Sequence, residues 1–150
     1  MVFRPQDPLF EERVRASFER QAFMATLGAR IVSVAPGDVV LELPFHQNLT
    51  QQHGFLHAGV VAAMADNACG FAALSLMPPG AAVMSVEFKI NLMAPAAGSV
   101  FKATGRVIRA GRTLTVCSGE VAATSGDREK VVAVMQATMM SVTGRPGLTD

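Results

Sequence analysis

Between Pro44 and Val86 the chain carries a single formal charge, Asp66, and that acid sits inside a run of small and apolar residues. Val60, Met64, Ala68, Phe71 and Leu74 recur at helical spacing and define one face. Val61, Ala65, Cys69 and Ala72 are small enough on the remaining sides to let other backbones approach. A helix that is apolar nearly all round is a buried helix. Asp66, Asn67 and the abundance of Ala and Gly argue against a membrane span. An ionisable group buried in such a helix must find partners, lose its charge or do chemistry.

The flanking segments read as a strand-rich frame. Asp7-Pro8 is an N-cap followed by proline at the first helical position, Phe10, Val14 and Phe18 recur every four residues, and Gly28 is a stop. Ile31–Val34 and Val39–Leu43 flank Pro36-Gly37-Asp38 as a hairpin, and Pro44 to His53 reads as irregular. Pro78-Pro79-Gly80 ends the central helix. Met84, Val86, Phe88, Ile90 and Leu92 then alternate with Ser85, Glu87, Lys89 and Asn91, the signature of a half-buried strand. Three more β-rich runs, Val100–Arg109, Thr113–Ala123 and Lys130–Met140, are separated by short turns, which predicts an antiparallel meander. Arg145 to Asp150 reads as a loose tail. The expected architecture is α+β: a short N-terminal helix and a six-stranded antiparallel sheet wrapped about one long helix, in a single domain spanning 1–150.

A net charge of +1, with 17% of residues charged, gives no electrostatic footprint for nucleic acid. Cys69 and Cys117 fall within regular elements and read as free thiols in a reducing compartment. No apolar leader precedes the first helix, so a cytoplasmic protein is expected. His46, His53 and His57 lack metal-ligand spacing, and there is no covalent-nucleophile, Walker or dinucleotide motif. Neither metal nor cofactor is expected.

The chemistry concentrates at the start of the central helix. Gly54 and Gly59 bracket His57-Ala58, where backbone N–H groups without intrahelical partners carry partial positive charge and can hold a carbonyl oxygen as it becomes an oxyanion. Gln51 offers an amide just before it; Asn48 and Gly59 are candidates for substrate contact. Each also has a structural reading, as a turn residue, a helix cap or, for Asp66, a paired carboxylate. Asp66 lies eight residues past Ala58, roughly 12 Å along the helix. It cannot serve an acyl group held at the start of its own helix, but it can serve one held by an antiparallel second copy. If both features are catalytic, the site needs a dimer.

The pattern H-[GA]-G-V-x-A-A-x-A-D-x-A-x-G-x-A-A, here His57 to Ala73, resembles the PaaI-like (phenylacetate-degradation type) hotdog-fold acyl-CoA thioesterases. Met84-Ser85-Val86-Glu87-Phe88, Asn91-Leu92-Met93-Ala94-Pro95 and Gly111-Arg112-Thr113 are similar to that group as well, so the likeness spans about 28–142. The resemblance implies a hotdog fold, a dimer often paired into a tetramer, and metal-independent hydrolysis of an acyl-CoA thioester. It implies that Asp66 activates water or attacks the acyl carbon, and that the Ala58 N–H holds the thioester oxygen. Gln51 and His57 would flank the oxyanion hole, and Ser85 would help place water. The family usually has glycine at the position of Ala58; the N–H survives, while the added methyl bears on rate and substrate. Phe55, Leu56, Met64, Phe71 and Met84 are candidates to line an acyl pocket, and Arg112, Arg109 and Lys89 to meet the CoA phosphates. The competing readings are a non-catalytic acyl-CoA-binding module and a hotdog enoyl or hydroxyacyl thioester hydratase.

Overall fold

The computed structural model describes residues 2–150. Among them, helices α1 (Phe10–Glu19), α2 (Ala22–Leu27) and α3 (Ala58–Leu74) accompany strands β1 (Arg30–Ala35), β2 (Asp38–Pro44), β3 (Ala82–Leu92), β4 (Val100–Ala110), β5 (Leu114–Ser125) and β6 (Arg128–Val142). The strands form one antiparallel sheet, and α3 packs against five of them, β2 to β6. The α+β plan of a long helix held by a six-stranded sheet is as expected.

The helix can lie so close because both surfaces are small. A Cβ on Gly105 of β4 would overlap the Ala68 carbonyl and the Cys69 amide, and one on Gly119 of β5 would come within 3.0 Å of Cys69 Sγ. Val60, Met64, Ala68, Phe71 and Leu74 are all buried, as their spacing predicts. One strip of α3 departs from the expectation of burial all round: Ala58 and Gly59 are exposed, and Ala62, Ala63, Asp66 and Asn67 are part-exposed. These pairs repeat every four residues, so they share a face that this chain leaves open.

The strands do not follow one another as a simple meander. β3 pairs with β6 instead of β4, so the chain between them passes from an edge of the sheet to its interior. β3 is left with one unpaired edge. It also contains a β-bulge: Ser85 pairs with Met139 and Glu87 with Thr138, leaving Val86 as the surplus residue. The bulge reverses the alternation. Ser85 shares a face with Phe88, Ile90 and Leu92, while Met84 lies on the opposite face with Glu87 and Lys89.

The N-terminal region is two helices where the sequence suggested one. Gln21 is extended (φ −78°, ψ 99°), and α2 closes on Gly28 in the left-handed region (φ 78°). In an unbroken helix Met24 would point roughly 120° away from Phe18. The break lets Phe18, Met24 and Leu27 all bury. Asp7 is not the N-cap: its Oδ1 accepts the Leu9 N–H at 2.9 Å in the turn before the helix, Leu9 holds the cap position without a side-chain bond, and regular helix begins at Phe10. α1 seats on α3 through an edge-to-face contact of Phe18 with Phe71, centroids 5.7 Å apart. The C-terminal tail is tied down: the Asp150 carboxylate accepts from Ser17 Oγ at 2.8 Å and from the Val83 N–H at 2.7 Å.

Candidate active site

The segment before α3 is more ordered than its composition suggests. It forms a 3-10 turn, Gln47–Leu49, whose Asn48 N–H is capped by His46 Nδ1. A single bridge then pairs Thr50 with Leu56, and the His57 N–H donates to the Leu49 carbonyl. Gly54 (φ 84°) supplies the left-handed residue of the loop. These contacts fix the backbone that enters the helix. His57 is the N-cap, its Nδ1 accepting the Gly59 N–H at 2.8 Å. A ring nitrogen that accepts is unprotonated, so the proton of neutral His57 sits on Nε2. Glycine at 59 keeps this cap uncrowded, because a Cβ there would press to 3.0 Å from Nδ1.

The cap leaves the Ala58 N–H, the first of the helix, without an acceptor among the described residues. Ala58 borders an open cavity of about 440 Å³, lined also by Gln51, Phe55, Leu56, Val61 and Leu92, with Met93 to Ala96 and Val132 behind. Gln51 Oε1 accepts the His53 N–H, which leaves its amide nitrogen as the donor end. The cavity therefore offers an apolar lining with an exposed backbone N–H and a side-chain amide at one wall.

Asp66 lies on the same strip of α3. Ser85 Oγ donates to its Oδ1 at 2.7 Å, and the β3 bulge is what turns Ser85 toward the helix. Burial pushes the Asp66 carboxyl above the ordinary carboxylate range, and the Ser85 hydrogen bond opposes that shift in part. A second, smaller cavity of about 80 Å³ adjoins the acid, lined by Gln21, Asn67, Gly70, Phe71, Val83 and Ser85. Asn67 Nδ2 donates to the Ala63 carbonyl, while its Oδ1 is buried without a partner.

Within one chain the two halves of this chemistry stand apart. Ala58 and Gln51 open on the larger cavity, Asp66 and Ser85 on the smaller, with two turns of α3 between them. Asn48 is exposed in the 3-10 turn and lines neither cavity. Phe55 and Leu56 line the larger cavity; Met64 is core, Phe71 borders the smaller cavity, and Met84 is exposed on the face of β3 opposite Ser85. Lys89 pairs with Gln136 and Arg109 with Val116, both on the sheet face away from α3. Arg112, in the β4–β5 turn, borders a separate cleft of about 280 Å³ with Leu76 and Pro78, beyond the C-terminal end of α3. Cys69 and Cys117 are free and buried, and burial pushes the Cys117 thiol up to about 12, so neither is a reactive thiolate.

Two residues beside the acid, Gln21 and Asn67, were not singled out in the sequence. Asn67 adjoins Asp66 and was open to suspicion on that ground. Gln21 carries no such signal, because the backbone break that places it is set by tertiary packing.

The profile of the thioesterase superfamily matches residues 53–130, which takes in the start of α3, Asp66 and Ser85. A thioesterase family protein of known structure from Silicibacter pomeroyi is 50% identical, with a TM-score of 0.89 over 90% of this chain and 99% of that one. Human acyl-coenzyme A thioesterase 13 is 34% identical over 71% of this chain and 77% of the human protein. The E. coli PaaI protein from the phenylacetic acid degradation operon shares the fold, with a TM-score of 0.81 at 24% identity over 90% of this chain and 94% of its own.

Proposed function

This chain belongs to the thioesterase superfamily, and from that membership we propose that it hydrolyses an acyl-CoA thioester to the free acid and CoA at a site completed by a second copy of itself. The observation that carries the reading is the placement of Ala58 and Asp66 on the one uncovered strip of α3, each beside its own cavity. A two-fold axis that lays two such strips antiparallel brings the oxyanion end of one copy against the acid of the other. The unpaired edge of β3, with Val86 and Phe88 exposed beside it, supports the same face as the contact. Further pairing of dimers into a tetramer is the family's expectation.

In the proposed reaction the acyl group occupies the larger cavity, and its carbonyl oxygen accepts from the Ala58 N–H and the Gln51 amide. His57 holds the helix start in place through its cap. Asp66 acts as general base: it takes a proton from water as the water oxygen bonds to the acyl carbon, and the C–S bond then breaks with its electron pair leaving on the CoA sulfur. The cavity beside Asp66 is large enough to hold water, which supports the role of base. Gly59 leaves room for the thioester at the helix start; Arg112, with Arg109, Lys89 and Asn48 as further candidates, would meet the CoA phosphates and pantetheine. No helix among the described residues is long and apolar enough to cross a membrane, and the two buried free thiols support a reducing, cytoplasmic setting.

The test is release of free thiol from a panel of straight-chain and aromatic acyl-CoAs, comparing the wild type with Asp66→Ala. The variant is expected to lose roughly 10²- to 10⁴-fold in kcat. Mixing Asp66→Ala with an oxyanion-side variant such as Gln51→Ala should restore some activity if the site is shared between copies, since a mixed dimer keeps one intact site. Wild type that binds acyl-CoA but releases no thiol from any member would make the protein a binding module instead.

A further inference from the structure

We propose that Gln21 is a positioning residue that holds the attacking water against Asp66, a role that rests on the reading of Asp66 as the general base. Gln21 stands at the junction of α1 and α2. It occupies the N-cap position of α2, yet its side chain makes no capping hydrogen bond, and among the described residues its carboxamide has no partner. The amide is half-buried and is not among the buried unpartnered groups, so it stays open to a partner. Gln21 lines the same small cavity as Asp66 and Ser85.

The polar inventory of that cavity narrows the role. Ser85 Oγ is spent on Asp66 Oδ1 at 2.7 Å, which leaves Oδ2 as the acid's open acceptor. Asn67 Nδ2 is spent on the Ala63 carbonyl, and its Oδ1 is closed off from solvent. Gly70, Phe71 and Val83 contribute no polar side-chain atoms. Gln21 is the remaining polar side chain on the wall. A cavity of about 80 Å³ is large enough to hold ordered water. A water that gives one hydrogen to Asp66 Oδ2 and the other to Gln21 Oε1 has both O–H bonds fixed and a lone pair directed away from the cavity wall. Attack then forms the O–C bond, passes the first proton to Asp66 and expels the CoA sulfur with the C–S electron pair. Gln21 itself gains and loses nothing. The arrangement is entropic pre-organisation of a nucleophile that would otherwise tumble.

The experiment uses the full chain and whichever acyl-CoA the wild type cleaves fastest, with Gln21→Ala, Gln21→Glu and Asp66→Ala assayed across pH. Gln21→Ala is expected to lower kcat about 10- to 100-fold with KM within about two-fold of wild type. In Gln21→Glu a second carboxylate stands beside Asp66, the one ionisable side chain lining the cavity, so the acid limb of the kcat profile moves to higher pH. The neighbouring Cys69 thiol is pushed far up by burial and does not titrate in that range. Wild-type kcat in Gln21→Ala overturns the proposal. So does a fall in kcat together with an unmoved acid limb in Gln21→Glu, which marks a merely structural role; the pH readout stands on its own if the alanine variant does not fold. Full activity in Asp66→Ala instead sinks the general-base reading, a failure that the Gln21 variants would not produce.

Discussion

The Ser85 hydroxyl donates to Asp66 Oδ1 across 2.7 Å, the one hydrogen bond in the described residues that opposes the effect of burial on that carboxyl. A hydrogen bond to the charged form favours ionisation. Removing it in Ser85→Ala leaves desolvation unopposed, so the Asp66 pKa rises further. The acid limb of the kcat/KM profile should therefore move to higher pH, with activity at neutral pH down about ten-fold or more, the worth of a hydrogen bond to a charged group. A pH–rate profile checks this, and a limb that stays in place would show that Ser85 does not act on the acid.

The same raised pKa has a consequence for folding. Between the ordinary carboxylate range and the raised native value, the folded chain binds more protons at Asp66 than the unfolded chain does. Stability from this group is complete at low pH and is lost as pH rises through the native pKa. Asp66→Asn removes the titration. The variant should melt higher than wild type at neutral pH, and the gap should close as the pH drops toward the ordinary carboxylate range. Thermal melts of both proteins at several pH values test the sign; a gap that widens in acid would contradict it.

At Gly105 helix and sheet approach closely, with no space for even a methyl group against the Ala68–Cys69 peptide. The obstacle is backbone on both sides, which no rotamer change relieves. Gly105→Ala should cost roughly 3 kcal/mol, the upper part of the range for overpacking. Urea denaturation would show it as a lower midpoint at unchanged slope.

Arg13 closes the other end of α3. Its guanidinium donates to the carbonyls of Leu74, Met77 and Pro78 at 2.7 to 2.9 Å and meets Asp7 at 3.3 Å. Both side chains are only 10% exposed, so solvent cannot replace the lost donors. Arg13→Met keeps the aliphatic volume and removes the donors; it should cost roughly 3 kcal/mol by denaturant midpoint. A cost below about 1 kcal/mol would mean the freed carbonyls find water.

Much of this architecture is written in local pattern. The period of Val60, Met64, Ala68, Phe71 and Leu74 specifies α3 and its buried face, and His57 with Gly59 marks its start. Gly28 ends the N-terminal helices as its residue type suggests. What escaped the pattern is non-local. The pairing of β3 with β6 depends on a choice among several strands of similar composition. The α1–α2 break follows from where Met24 and Leu27 must point once the core exists. The bulge at Val86 hides inside a regular apolar–polar alternation, so Met84 read as sharing a face with Phe88 when it does not.

That surplus residue bears on how roles are carried from one relative to another. Whether a hydroxyl on this strand meets the acid is decided by counting residues between it and Phe88, and one deletion in that interval would hand the position to a neighbour with no change in overall likeness. Two family members with the same serine in the same column, but a different count, would not share its role.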